Sequence, residues 1–335
     1  MEINHMYDLQ LFAEANTQTS NDLSAEMKTY YGMELLESAK PQLVHNQFAA
    51  TKGMPVGGGK TVEWRKFGSF DKALTPLTEG VTPDGKALNV TTITAEVKQY
   101  GDWVPITDTL QLTAIDNNIV QATKIIASQA GRTMDSVVRD ILAGGTNVIY
   151  APKVADGVET EVKSRAGLDG TSQLTSKLIM KAATQLKAMN ADPIGESYVA
   201  IIHPYVSYDL RNDPAWIDVH KYAQPDEIYN GEIGKLHGVR FVETSEAKIW
   251  KGTGCPAGLA VFATLILGAH AYGTTEIEGG GLEHIVKQLG YGDDPLNQRA
   301  SVGWKAHKTA ERLVEQYMVR IESCSKEYSG IAAAN

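Results

Sequence analysis

The stretch TVEWRKFGSFDKALTPLTEGVTPDGKALNVTTITAEVKQYGDWV (residues 61–104) predicts a long β-hairpin with an elaborate tip. At its start, Val62, Trp64 and Lys66 alternate with the side chains between them, which is the two-residue period of a strand. The stretch from Val90 to Val104 predicts the second extended segment, with one face apolar. Between the two segments, prolines and glycines are dense, and this composition favours turns.

A ribbon of this length is too long to fold back on a core of its own, and isolated two-stranded ribbons are only marginally stable in water. We therefore expect the hairpin to pack on another chain and to bury its apolar side chains there. Gly80 joins the candidates because a turn at that position requires a positive φ. For Trp64 and Arg65, an exposed strand with incidental contacts is the alternative interpretation. The candidate assembly residues are Trp64, Arg65, Phe67, Phe70, Leu74, Leu77 and Gly80.

Two helices are predicted after the hairpin. The first is preceded by Asp116, a good N-cap, and followed by Gly144-Gly145, a typical C-terminal signal. The predicted helix spans roughly 37 Å, at about 1.5 Å for each residue. Its apolar stripe is Ile119, Ala122, Ile125, Ile126, Ala130, Met134, Val137, Ile141 and Leu142. The second predicted helix runs from Ser176 to Met189, with inward residues Leu178, Ile179, Ala182, Leu186 and Met189.

The remaining segments indicate a mixed α+β class. Residues 1 to about 25 predict an arm, Met27–Ala39 a short helix and Pro152–Gly170 a loop. Leu313–Ser323 fits a helix and a strand equally well by periodicity. A further short helix is predicted over 205–211. The other predicted strands are 198–202, 239–243, 259–267, 284–289 and 301–305.

The composition is that of a folded, acidic protein. The chain has 335 residues, 43% of them hydrophobic, and a net charge of -9 from 31 Lys and Arg against 40 Asp and Glu. This content supports a sizeable core and excludes general disorder. Sequence-specific DNA binding is disfavoured, because neutralising phosphates requires clustered cations.

Targeting signals and disulfides are not expected. The two cysteines, Cys255 and Cys324, are far apart and are predicted to be reduced and partly buried. No segment approaches the ~20 apolar residues that cross a bilayer. The first residues are acidic where a signal peptide is basic, so we expect neither export nor a membrane anchor.

Two glycine-rich stretches resemble nucleotide-binding loops but depart from the motifs. In GMPVGGGKT (53–61), a phosphate-binding loop would need glycine at position 54, where Met54 stands, and a strand pattern follows instead of a helix. GTGCPAG (252–258) has its third glycine displaced and also leads into a strand pattern. Both are interpreted as turns, with a nucleotide-binding enzyme that uses 57–61 kept as an alternative.

Catalytic constellations are not recognisable either. His203, before Pro204, is interpreted as a buried or capping residue, and Asp293-Asp294 before Pro295 is typical of a turn. The eight histidines lack metal-ligand spacing. We therefore assign no catalytic, cofactor-binding or metal-binding residues.

The chain resembles the major capsid proteins of tailed bacteriophages over nearly its whole length. The resemblance rests on the order of the predicted elements and on seven stretches of sequence. No single stretch is diagnostic, but all seven occur in the expected order. The stretches are AKPQLVHNQF (39–48), GKTVEWRKF (59–67), PLTEGVTPDG (76–85), QYGDWVPITD (99–108), AIIHPYVSYDLRND (200–213), GEIGKLHGVRFVETS (231–245) and DPLNQRASVGWK (294–305).

The resemblance implies the Hong Kong 97-type capsid fold, with an N-terminal arm, an extended hairpin loop, a long spine helix, and peripheral and axial domains. It also implies that Leu313–Ser323 is a strand. The implied division is 1–38 for the arm, 39–104 for the hairpin loop and its base, 105–190 for the peripheral domain, 191–300 for most of the axial domain, and 301–335 for the return to the peripheral domain.

The implied function is structural. The chain would self-assemble into pentamers and hexamers of an icosahedral head around double-stranded DNA, without enzymatic activity or cofactors. Implied partners are further copies of itself, a separate scaffolding protein, the portal, a decoration protein, and packaged DNA held weakly and non-specifically. The protein would be found in the virion after assembly in the host cytoplasm. A head-completion or tail protein is the main alternative.

Overall fold

The computed structural model describes residues 44–68, 70–77, 79–82, 84–114, 118–220, 234–277 and 281–335. The arm over 1–38, the Met27–Ala39 helix and the Asp116 cap are predictions that lie outside these ranges. The helices are α1 (Asp108–Thr113), α2 (Asn118–Ala143), α3 (Ser176–Ala188), α4 (Pro204–Arg211) and α5 (Pro214–His220). The strands are β1 (Ala50–Met54), β2 (Thr61–Phe67), β3 (Val90–Glu96), β4 (Lys98–Thr107), β5 (Val148–Tyr150), β6 (Lys153–Ala155), β7 (Val158–Thr160), β8 (Tyr198–Ile202), β9 (Lys235–Leu236), β10 (Val239–Glu243), β11 (Ile249–Trp250), β12 (Val261–Leu267), β13 (Tyr272–Ile277), β14 (Glu283–Lys287), β15 (Arg299–Lys308), β16 (Ala310–Arg312) and β17 (Met318–Ser323).

The predicted hairpin is confirmed in β2 and β3, which pair antiparallel from Thr61 opposite Glu96 to Phe67 opposite Val90. Val62 and Ala95 face each other in this ladder and are both buried. The second extended segment does not continue unbroken to Val104 as predicted. It is divided at Val97, whose N–H donates to the Lys60 carbonyl, and β4 then joins another sheet.

The chain forms two compact units, and the larger comprises 40–99, 131–281 and 307–335. Its centre is a seven-stranded sheet in the order β5-β17-β12-β8-β10-β9, with β11 paired to β12. Every residue of β8, β12 and β17 is buried, as expected for strands covered on both faces. The strand implied for Leu313–Ser323 is confirmed for Met318–Ser323, after a 3-10 turn at Glu315–Tyr317.

Helix α3 supplies one side of the main core. Leu178, Ile179, Ala182 and Leu186 are buried as predicted, in a cluster that includes residues of β8, β12 and β17. Met189 is 43% exposed, because the helix ends one residue earlier and the chain turns away. The predicted loop over 152–170 is partly wrong, since β6 and β7 form a short hairpin inside it.

A second core cluster of this unit surrounds the C-terminal half of α2, where Val138 and Leu142 are fully buried. A buried pair fixes the preceding segment beside them, since His45 Nδ1 lies 2.6 Å from Asp135 Oδ2 and the His45 amide donates to the same carboxylate. The Tyr272 hydroxyl donates to the His45 carbonyl. His45 and Tyr272, which are 227 positions apart in sequence, are thus held together beside Asp135 of α2.

The end of α2 explains its two glycines by close approach rather than by a positive φ. A Cβ on Gly144 would lie 2.8 Å from Arg312 Nη1, and one on Gly145 would lie 2.8 Å from the Met318 side chain. Gly144 thus leaves room for Arg312, and Gly145 leaves room for Met318. Two arginines donate to carbonyls at this end of the helix, which favours positive charge. Arg312 donates to Ile141, and Arg320 donates to Ala143 and Gly145.

Arg320 also belongs to a buried ion triad. Arg165 makes two hydrogen bonds of 2.7 Å to the Glu322 carboxylate, and Arg320 Nε adds a third at 2.9 Å. The Arg165 guanidinium stacks 3.7 Å above the Trp250 ring. The bonded Glu322 carboxylate raises the pKa of Arg165, while burial lowers the pKa of Arg320. The triad therefore joins α2, β11 and β17 through one carboxylate that is 0% exposed.

The smaller unit contains, among the described residues, 100–114, 118–130 and 282–306. Its sheet has the order β14-β15-β4. Gln129 on α2 connects two of these strands, since its amide donates to Asp102 and accepts from the Trp304 indole. Ile126 and Ala130 of the predicted stripe are buried, but Ile125 is 63% exposed, because it lies at the edge of that stripe. The buried apolar residues of this unit include Ile106, Leu110, Ala300, Val302 and Trp304.

Replacing the central carboxylate of the triad tests its contribution to the fold. We expect Glu322→Gln to lower the free energy of unfolding by about 3–5 kcal/mol, because the buried Arg320 and the partly buried Arg165 lose their counter-charge. Urea unfolding followed by circular dichroism measures the change. The matched control is Glu196→Gln, since Glu196 is 88% exposed in its pair with Lys235 and its loss should change stability by less than about 0.5 kcal/mol. Equal losses in the two variants would contradict the role of the triad.

Candidate assembly surface at the hairpin tip

The tip of the β2–β3 hairpin, in the larger unit, exposes a run of large apolar side chains. Every described residue from Arg65 to Thr92 is exposed, and residues 68–89 form neither helix nor strand in their described part. A soluble chain rarely leaves several large apolar side chains on one exposed segment unless the segment contacts a partner. The exposed fractions are 62% for Phe67, 52% for Phe70, 82% for Leu74, 77% for Leu77, 63% for Val81 and 66% for Leu88.

The base of the hairpin differs from its tip. Trp64 is half-buried against β13 of its own chain, where a Cβ on Gly273 would lie 3.0 Å from the indole. Arg65 is exposed and pairs with Glu63 at 3.0 Å. The structure therefore separates these two candidates from Phe70, Leu74 and Leu77. An assembly role for any of the seven candidates stays a prediction.

Gly80 has the positive φ expected of it, at +76°. No heavy atom lies within 4 Å of the position that a Cβ would occupy there. The requirement for glycine at this position is therefore conformational rather than steric. L-residues other than glycine pay roughly 1–2 kcal/mol for this left-handed backbone.

The glycine-rich stretches form turns, as interpreted. Residues 55–60 connect β1 to β2, and Gly57 and Gly59 have positive φ. A strand rather than a helix follows, so no helix amides are available to hold a phosphate. The 252–258 stretch is a turn before β12 and contains three further glycines of positive φ.

His203 is both buried and capping, as predicted. It precedes α4, and its Nδ1 accepts a hydrogen bond from the Tyr205 amide at 3.1 Å. Its ring also lies 5.3 Å from that of Phe262. Burial lowers the pKa of His203 to about 4, so the imidazole is neutral near pH 7.

The cysteines are free thiols, in agreement with the sequence analysis, with Cys324 buried and Cys255 partly so. Burial raises the pKa of Cys255 and raises that of Cys324 to about 12, which disfavours the nucleophilic thiolate. Across the described ranges, no three His, Cys, Asp or Glu side chains are grouped as metal ligands. The same ranges contain no helix with the length and hydropathy of a membrane span.

The smaller unit also exposes large apolar side chains that were not among the predicted candidates. Trp103 is 63% exposed, Leu112 83%, Tyr291 67% and Leu296 73%. Tyr291 and Leu296 lie in the turn-rich stretch GYGDDPLNQ, which has neither a helical nor a strand period. This composition could have predicted that their side chains are exposed. Exposed apolar side chains are thus not confined to the hairpin tip.

Comparisons with known proteins point to one family. The sequence model of the phage capsid protein family matches residues 107–288, more than half of the chain. The capsid structure of cyanophage P-SCSP1u is similar with a TM-score of 0.67 and 15% identity, covering 89% of this chain and 93% of that one. The capsid of Ralstonia phage GP4 has a TM-score of 0.65 and 12% identity, covering 98% and 99%. The head structure of Helicobacter pylori bacteriophage KHP40 has a TM-score of 0.60 and 12% identity, covering 82% and 88%. No curated protein matches by sequence.

A substitution at Gly80 tests the tip conformation. We expect Gly80→Val to leave the subunit folded and to reduce the yield of shells, because a β-branched residue resists a φ of +76°. Negative-stain microscopy and sedimentation measure the yield. Gly85→Val is the matched control, since Gly85 lies in the same segment with equal space around it and without a positive φ. Normal assembly of Gly80→Val would show that no special backbone is needed there.

The titration of His203 predicts a pH dependence of stability. Between pH 6.5 and 4 the unfolded chain binds a proton at this side chain while the folded chain does not, so the free energy of unfolding falls as the pH falls. In His203→Asn the cap is kept and the titration is removed. Urea unfolding at several pH values should show a loss toward pH 4 that is smaller than in the parent by up to about 3 kcal/mol. Identical pH dependence in both chains would contradict a neutral buried His203.

Proposed function

The chain belongs to the phage capsid protein family and is a structural subunit of a phage head, and we propose that it assembles into the pentamers and hexamers of an icosahedral shell around double-stranded DNA. It is not an enzyme, and its place is the virion. Its α+β fold is that of phage capsid proteins of the Hong Kong 97 type. The proposal concerns how copies join and what they enclose.

The observation that carries the proposal is the exposed apolar tip between Phe70 and Leu88. Its side chains have no core of their own, because the described residues around them are exposed as well. Burial on a neighbouring copy would remove this area from water, at roughly 25 cal/mol for each Å² of apolar surface. A tip that extends from one copy onto the next produces a heterologous contact, and repeated heterologous contacts close into rings.

Several modest contacts per copy are sufficient for a stable shell, because each contact within a ring raises the effective concentration of the others. The exposed apolar residues of the smaller unit supply further surfaces of this kind. Weak, non-specific contact with packaged DNA is supported by the net charge of -9, since an acidic chain releases few counterions on meeting phosphate.

The division into domains is part of the proposal. We assign 1–38 to an N-terminal arm, 39–104 to the hairpin loop and its base, 105–190 to a peripheral domain with α2 as its spine, 191–300 mostly to an axial domain, and 301–335 to the return. A scaffolding protein, a portal and a decoration protein are proposed partners, and the host cytoplasm is the proposed place of assembly. Family membership supports these assignments.

Shortening the hairpin tests the proposal. We expect replacement of residues 70–86 by a two-residue turn to leave the subunit folded while closed shells disappear, because β2 and β3 keep their ladder and the apolar tip is lost. Circular dichroism measures folding, and sedimentation with negative-stain microscopy measures assembly of the chain expressed with the head genes of its phage.

Point variants separate apolar burial from the length of the loop. Leu74→Ser with Leu77→Ser should reduce shell yield in the same assay. Ile331→Ser is the control, since Ile331 is 73% exposed and lies outside the hairpin. Normal particles from the shortened hairpin would overturn the interlocking role, and equal losses from the control would show that the effect is not specific to the tip.

A further inference from the structure

A groove in the larger unit is not accounted for by the tip. Its volume is about 1070 Å³, and it lies between the edge strand β5, helix α3 and the β6–β7 hairpin. Most of its lining surface is apolar and includes side chains of Val148, Tyr150, Val154 and Leu178. A groove of this size accommodates an extended segment of several residues.

One wall of the groove is an unpaired sheet edge. Strand β5 pairs with β17 on one side, and no other described strand lies on its far side. Asn147 accepts from the Arg320 amide and Ala151 donates to the Glu322 carbonyl, so alternate residues of the strand face β17. The N–H and C=O groups of Val148 and Tyr150 consequently point away from the sheet. Such an edge accepts an additional strand from an extended peptide.

The rim of the groove is positively charged. Lys163, Lys181 and Lys326 line it and are exposed, and within the described residues none forms an ion pair. A fourth lysine, Lys177, is already paired with Glu159 at 2.7 Å. Glu161 also lines the groove, so its four lysines face two carboxylates and leave an excess of two positive charges. In a chain with a net charge of -9, this excess beside an apolar floor favours an acidic occupant with apolar anchors.

The chain carries a segment of that chemistry outside the described residues. Residues 1–43 contain seven carboxylate side chains and two lysines. Within 2–14, EINHMYDLQLFAE, there is no Lys or Arg. Over 7–11 the polar Asp8 and Gln10 stand at even positions, whereas Tyr7, Leu9 and Leu11 stand at odd positions. Glu2 and Glu14 share the even positions, as do the apolar Met6 and Phe12. In an extended strand these two sets lie on opposite faces.

We propose that residues 2–14 of a copy of this chain bind in this groove, with 7–11 added as a strand on β5. Tyr7, Leu9 and Leu11 face the apolar floor, and the three carboxylates face the lysine rim. The open backbone groups of Val148 and Tyr150 gain partners, and the sheet edge is covered. An apolar floor beside a strand edge favours a peptide over a nucleic acid, whose recognition would use the lysines alone.

Zero-length carbodiimide cross-linking of the full chain tests contact directly, because it joins only carboxylates and amines that already touch. We expect mass spectrometry to find links from Glu2, Asp8 or Glu14 to Lys163, Lys181 or Lys326. Mixing ¹⁵N-labelled and unlabelled chains shows whether the segment comes from the same copy or a second one, and either pattern supports the proposal. Links from these carboxylates only to lysines outside the groove would overturn it.

Charge reversal provides a second readout. In Lys163→Glu with Lys181→Glu and Lys326→Glu, chymotrypsin should cleave between Tyr7 and Phe12 about tenfold faster, equivalent to about 1.4 kcal/mol of lost binding. Lys187→Glu is the matched control, since Lys187 is an exposed lysine of α3 that does not line the groove. Glu2→Lys with Asp8→Lys and Glu14→Lys, placed in the reversed background, should restore protection.

Unchanged cleavage in the reversed variant would overturn the proposal. Loss of binding to a double-stranded oligonucleotide, with cleavage unaffected, would assign the groove to nucleic acid and overturn it as well. Neither readout requires a closed shell, so the result is independent of the assembly proposed above.

Discussion

Strand β17 connects the parts of the larger unit. It lies between β5 and β12 in the sheet, and two of its side chains, Arg320 and Glu322, are charged and buried. Burying these charges costs free energy, which the bidentate bonds from Arg165, the Trp250 stack and the carbonyls at the end of α2 offset. Because the same guanidinium bonds both the helix end and the carboxylate, the sheet and α2 cannot be displaced separately without leaving a buried charge unpaired.

The hairpin differs from β17, because its tip leaves apolar side chains exposed instead of burying charged ones. Its ladder satisfies its own backbone from Thr61 to Phe67, yet beyond Phe67 the apolar side chains remain in water. This arrangement is unfavourable in an isolated subunit and would become favourable if neighbouring copies covered the tip, as we propose. The groove beside β5 has the same character on a smaller scale, since its strand edge and three of its four lysines are unpaired within the described residues.

Local periodicity predicted the elements whose neighbours in sequence decide their structure, such as β2, β8 and α3. It could not decide Leu313–Ser323, because the choice of strand there depends on pairing with β12 and β5, which are far away in sequence. The glycines after α2 were recognised as a helix end, but Arg312 and Met318, which require their small size, lie about 170 residues later. Of the candidate surface, exposure at Leu74 and Leu77 followed from the turn-rich composition, whereas the groove arises from three separate segments and has no local signature.

The position of β17 also has a consequence for synthesis. Every other strand of its sheet precedes it in sequence, and it lies inside that sheet rather than at its margin. A ribosome adds roughly 5–20 residues each second. Until residue 323 has left the exit tunnel, β12 and β5 have no common neighbour, and the backbone edges that pair with β17 stay unpaired. Folding of the larger unit is therefore completed only after most of the chain has been translated.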